Sequence, residues 1–267
     1  MKIIVPIDFS EYSLKALEFA IFFAEKRQGK IILVHIIEIV YDFASQAAIA
    51  MESMQDEAAE SLKKLIQKYQ VAGVEMEYKI KEGTASIMTS RIAEEENASM
   101  IIMGSKGESG IAKVFFGSTA VSVIREANCP VLVVPAEAKI SEIRKMTLAL
   151  EFSNHEEKFL DWIIELSKRW DLGLEILHVQ TTKDFKGQLM LLGIESFLLK
   201  NHPEVPIRIH TFYAESATAG LNNYLLEHNS LILVMCHEHK NLWEQILHQS
   251  KSVKMAYHTH VPLLIMS

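Results

Sequence analysis

The sequence predicts an α/β protein built as two tandem repeats, each an open five-stranded parallel sheet with helices on both faces. Three observations carry this. The chain has 267 residues, about two domains at roughly 150 residues each. Apolar runs rich in β-branched residues alternate with longer helical patterns, as expected of parallel strands covered on both sides. The chain also repeats itself. "KIIVPIDFS" at 2–10 returns as "KMTLALEFS" at 145–153, an offset of 143, and "ASMIIMG" at 98–104 returns as "SLILVMC" at 230–236, an offset of 132. The smaller second offset places an 11-residue shortfall between the second and third strands of the second copy.

Taken in order, the first copy reads as strand 2–7, helix 10–28, strand 30–37, helix 51–72, strand 74–81, helix 85–96, strand 99–103, helix 118–127 and strand 130–134. The short polar stretch 135–144 reads as a linker, giving domains 1–136 and 144–267. At the first offset "IILVH" falls on "LEILH", so His35 lies on His178; at the second, "CPVLVV" falls on "VPLLIM". The connection 38–60 carries more apolar residues than a surface segment needs, from Ile39 through Phe43 to Met54. Packing across the repeat interface is the expected reason, with a lid or partner contact as the alternative.

Composition sets the outer limits. An apolar fraction of 49% with 23% charged residues is that of an ordinary globular protein. The net charge of −7 argues against a nucleic-acid partner. The first residues lack the apolar core of a signal peptide and no run approaches a membrane span, so no membrane role is expected. Two cysteines, Cys129 and Cys236, make no disulfide framework, and a cytoplasmic location is expected.

Two strand ends draw attention, because ligands of open parallel sheets bind beyond the carboxyl edge where strand order reverses. Asp8 ends the first strand, where it either caps the next helix or faces a ligand. The fourth strand runs into "GSKGESGIAKVFFGST" at 104–119. Glycines there admit positive φ and close backbone approach, and the helix that follows Gly117 offers unpaired N–H groups to an anion. Ser118 and Thr119 add hydroxyls, and Lys106 and Lys113 add local positive charge. No Walker A or dinucleotide fingerprint is present.

The spacing of Gly104, Gly107, Gly117 and Ser118, G-x2-G-x9-G-[ST], resembles the ATP-binding universal stress proteins, as do "VPIDFSEYSLKAL" and "CPVLVVP". The resemblance implies an adenine nucleotide alpha hydrolase-like fold with strand order 3-2-1-4-5 in each repeat, and ATP or AMP as ligand, with or without Mg. It places Asp8, flanked by Pro6, Ile7 and Ser10, against adenine or ribose, and Ile36 against adenine through its backbone. Met103, Gly104, Ser105, Lys106 and Gly107, with Lys113, Gly117, Ser118 and Thr119, would hold the phosphates. It also implies pairing through fifth strands, within the chain as a pseudo-dimer or between chains as a homodimer.

In the second copy Gly104, Gly107 and Gly117 become Cys236, His239 and Gln249, and Asp8 becomes Glu151. One nucleotide per chain is therefore expected, in the first repeat. Six of the eleven histidines fall between 228 and 260; Cys236, His237, His239 and His248 are candidate zinc ligands, though their spacing fits no standard finger and solvated histidines are the expected case. Three functions follow: a nucleotide-dependent stress or signalling protein, a slow ATPase with Glu11 or Glu108 as the nearby carboxylates, or a nucleotide-free interaction module. A phosphoacceptor receiver domain is disfavoured, since "KIKEG" ends the third strand without the aspartate such domains need.

Overall fold

The computed structural model describes every residue except 27, 39–46, 108–116, 151–156, 183–184, 237–260 and 267; the side chains of 47–51, 157–158 and 186 also lie outside the description. The chain divides into two compact units, Met1–Ala136 and Glu137–Ser267.

The first unit runs β1 (Lys2–Pro6), α1 (Glu11–Glu25), β2 (Lys30–Ile37), α2 (Ala47–Tyr69), β3 (Glu75–Glu82), α3 (Ala85–Glu95), β4 (Met100–Gly104), α4 (Ser118–Glu126) and β5 (Val131–Val134). Its strands pair in the order β3-β2-β1-β4-β5, all parallel. Ile3, Ile4 and Val5 of β1 and all of β4 are buried, which is why these runs read as continuously apolar. Strand order reverses at β1. Right-handed crossovers then put α1 and α2 on one face and α3 and α4 on the other.

The second unit repeats the plan with β6 (Lys145–Ala149), α5 (Glu157–Trp170), β7 (Gly173–Gln180), α6 (Phe185–Asn201), β8 (Arg208–Tyr213), α7 (Ala217–Glu227), β9 (Leu231–Cys236) and β10 (Leu263–Met266). Its order, β8-β7-β6-β9-β10, is again 3-2-1-4-5. The shortfall in the second copy falls mainly on one element: α2 has 23 residues and its counterpart α6 has 17. The stretch 135–144 is less polar in its packing than in its composition. It contains a 3₁₀ turn at Ile140–Glu142, and Ala138 and Ile143 are buried. In the 38–60 connection Met54 is exposed, while Ile39 to Phe43 lie outside the described residues.

The shared histidine has a structural job in both units. His35 donates from Nδ1 to the Ile7 carbonyl at 2.7 Å, and His178 does the same to Leu150 at 2.9 Å. Each ties the turn after a first strand to the second strand, where Ile7 N–H and Leu150 N–H bond back to Val34 and Leu177.

At three matched positions an apolar core residue of the first unit gives way to a member of one polar cluster in the second. Ile4, Ile32 and Ile92 of the first unit are Thr147, Glu175 and Tyr224 in the second. Glu175, 5% exposed, accepts from Thr147 at 2.6 Å, from Lys145 at 2.7 Å and from the Tyr224 hydroxyl. Burial works against its charge, but these donors outweigh it and hold the carboxyl below the usual range.

Candidate functional site

An open cleft of roughly 710 Å3, mouth included, lies at the carboxyl edge of the first unit's sheet. Its floor and walls include Pro6, Ile7 and Asp8 after β1, Ile36 on β2, Met103 to Gly107 from β4 onward, and Gly117, Ser118 and Thr119 at the start of α4. These are sequence-expected residues brought together from three strand ends and one helix. Ser13, Val34, Ala85, Thr89 and Ala120 also line it and were not anticipated. Ala85 and Thr89, four apart on α3, share a helix face, and that spacing was the available signal. Lys113 and Glu108 lie outside the described residues.

Two expected residues take other roles. Ser10 does not line the cleft; its side chain caps α1 by accepting from Ser13 N–H at 3.2 Å. Asp8 is therefore not itself the cap. Its Oδ1 accepts from Ser10 N–H at 3.0 Å and from Ser10 Oγ at 2.6 Å, which fixes the carboxylate one step behind the helix. Phe9, between them, has φ 63°, an uncommon conformation for a bulky residue. Its ring stacks obliquely on His35, with centroids 5.1 Å apart. Glu11 is exposed in the first turn of α1 and does not line the cleft.

The expectation that the loop glycines adopt positive φ does not hold: none of Gly104, Gly107 and Gly117 lies in the left-handed region. Space explains them differently. A Cβ on Gly104 would sit 2.7 Å from the carbonyl carbon and Cβ of Tyr12, so this glycine lets the first turn of α1 rest on the end of β4. A Cβ on Gly107 would meet Asp8 Oδ2 at 2.9 Å. At Gly117 the nearest heavy atom among the described residues would be 3.6 Å away, so none of them demands a glycine there.

Gly117 N–H donates to the Ser105 carbonyl at 2.7 Å, and Ser105 N–H to Val134 at 2.9 Å. The loop is thereby closed at its neck, and the Gly117 amide is engaged. The groups left for an anion are the first-turn N–H groups of α4, which helix geometry leaves without intrahelical acceptors. Among the described residues no side chain caps that terminus. Lys106 holds its Nζ 5.9 Å from the Tyr12 ring centroid, at the mouth of the same loop.

At Ile36 the backbone is placed for a ligand. The β1–β2 ladder ends where Ile7 N–H meets the Val34 carbonyl, while the Ile37 carbonyl faces β3 and accepts from Gly83. Parallel strands alternate their hydrogen-bonding sides, so the amide and carbonyl of Ile36 face the β1 side beyond its end.

In the second unit Cys236 is buried at the end of β9. His237, His239, His248, Gln249 and Glu151 lie outside the described residues. Among the described residues no cluster of metal-ligating side chains is found, and no helix is long and apolar enough to cross a membrane.

The fold is an open parallel α/β sheet with a glycine-bearing loop and a helix start at its switch point, the edge at which sheets of this class bind ligands. The universal stress protein family model matches residues 1–135, and the chain belongs to that family. It is 32% identical over 143 residues to universal stress protein MJ0531 of Methanocaldococcus jannaschii, covering 52% of this chain and 84% of that protein. Universal stress protein Sll1388 of Synechocystis is 30% identical over 148 residues, covering 50% of this chain and 96% of that protein. A crystal structure of a universal stress protein from Archaeoglobus fulgidus matches 100% of this chain and 96% of its own, with a TM-score of 0.75 at 21% identity, a likeness of fold.

Proposed function

We propose that the first unit binds one adenine nucleotide, ATP or AMP, and that the protein acts in stress response or signalling through the nucleotide-dependent state of the 104–117 loop. The observation that carries this reading is Gly117: the amino end of α4 opens into the cleft, and the glycine ahead of it leaves space that no described residue fills. A phosphate seated there gains the N–H groups and the helix dipole. The backbone of Ile36 supports an adenine at the other end of the cleft. An accompanying Mg²⁺ would find one carboxylate, Asp8, among the described lining residues, which suits an ion held mainly by phosphates and water.

Turnover is not part of the proposal. Asp8 Oδ1 accepts from Ser10, and Glu11 does not line the cleft. A cytoplasmic location, an empty second site and pairing of fifth strands within or between chains complete the reading. Mass spectrometry of ligand released from freshly purified protein tests it. ATP or AMP is expected with the wild-type chain and absent with Gly117→Val; a nucleotide-free wild type that also fails to bind added ATP overturns it.

A further inference from the structure

We propose that Thr89 reads the nucleoside portion of the ligand, its hydroxyl hydrogen-bonding a polar atom of the base or ribose. This rests on the nucleotide reading of the cleft and goes beyond it by assigning a contact made by α3.

Thr89 is 0% exposed and lines the cleft, and its Oγ1 has no hydrogen-bond partner among the described residues. A threonine inside a helix usually settles its hydroxyl on the carbonyl four residues back, here Ala85, and this one does not. A buried hydroxyl without a partner is costly, so its persistence calls for an acceptor or donor supplied from outside the chain.

The repeat provides an internal control. Ser90 and its counterpart Asn222 are both buried with an unpartnered polar atom, so that feature belongs to the helix in either unit and says nothing of a ligand. Thr89 differs: the matching residue of α7 is Leu221, apolar and 2% exposed. The hydroxyl is present in the unit with the glycine loop and absent from the other.

The company Thr89 keeps identifies the part of the ligand. It shares its wall with Val34, Ile36 and Ala85, none of which carries charge. An apolar wall with one neutral hydroxyl suits an uncharged nucleoside, whereas the groups suited to phosphate are gathered at Gly107 and the start of α4.

The test is calorimetric titration of wild type, Thr89→Val and Thr89→Ser with ATP and with AMP, alongside thermal unfolding without nucleotide. Thr89→Val is expected to lose about tenfold in affinity for both nucleotides, with Thr89→Ser restoring most of it, and to unfold at the same or a higher temperature. Equal affinity of wild type and Thr89→Val overturns the inference while leaving the nucleotide site standing. A loss seen with ATP but not AMP moves the contact to the phosphates and overturns it as well. A Thr89→Val chain that unfolds at a lower temperature, or does not fold, assigns the hydroxyl to structure and overturns it. No binding by the wild type instead brings down the underlying reading.

Discussion

Replacing Gly104 and Gly117 by alanine, one at a time, should separate two reasons for a glycine in the same loop. A methyl group on Gly104 would stand 2.7 Å from backbone and side-chain carbons of Tyr12, closer than atoms pack, and the obstacle is largely the main chain of α1. Relief requires a shift of the helix start, and such overpacking costs about 1–3 kcal/mol. At Gly117 the same methyl meets nothing nearer than 3.6 Å, and φ −63°, ψ 156° is a backbone alanine adopts freely. There the reduced freedom of the unfolded chain stabilises by about 0.4–1 kcal/mol, and the poorer cap offsets it by a similar amount. Urea denaturation without nucleotide should therefore place Gly104→Ala clearly below wild type and Gly117→Ala within about 1 kcal/mol of it. ATP titration should then show Gly117→Ala weakened by about tenfold or more, because the methyl occupies the approach to the α4 amides. A Gly117→Ala chain of full affinity, or a Gly104→Ala chain as stable as wild type, would refute the assignment.

Other outcomes are expected. Removing the shared histidine, as His35→Ala or His178→Ala, should cost about 1 kcal/mol in each unit through the lost carbonyl hydrogen bond, read by denaturant melts with and without ATP. Glu96 accepts from Lys2 at 2.7 Å and from Lys79, and these hydrogen bonds bring its pKa down to about 2. Because the folded value lies below the unfolded one, its stabilisation is full above about pH 4.5 and is lost as pH falls toward 2; Glu96→Gln should flatten the stability profile across that window. Glu175→Ala leaves Lys145 and Thr147 facing a void and should destabilise by about 3 kcal/mol or more. The triple change to isoleucine at Thr147, Glu175 and Tyr224 should recover much of that loss in the same denaturation assay.

The sheet was legible because parallel strands buried on both faces need continuous apolar runs, and those runs kept their order in both copies. "MIIM" and "LILVM" announce β4 and β9 without structural help. Most of the cleft was legible for a related reason: residues at strand ends are fixed by the topology once the strands are placed. What stayed hidden depends on contacts across the fold. Gly104, Gly107 and Gly117 look equivalent in a string of letters, yet one yields to Tyr12, one to Asp8 and one to none of the described residues. Asp8 read as a possible cap until the hydrogen bonds showed Ser10 in that position. Thr89 carried no signal because a single threonine in an amphipathic helix is ordinary. The left-handed conformation of Phe9 had none either, since that region favours glycine and asparagine.

The main-chain clasp between Gly117 and Ser105 has a consequence for how such a protein diversifies. A fastening made wholly of peptide groups is indifferent to side chains, and lengthening what it encloses changes the entropy of closure only slowly. The residues between Gly107 and Gly117 can thus be rewritten or extended to suit a new client while both ends of the segment keep their grip on β4, β5 and α4.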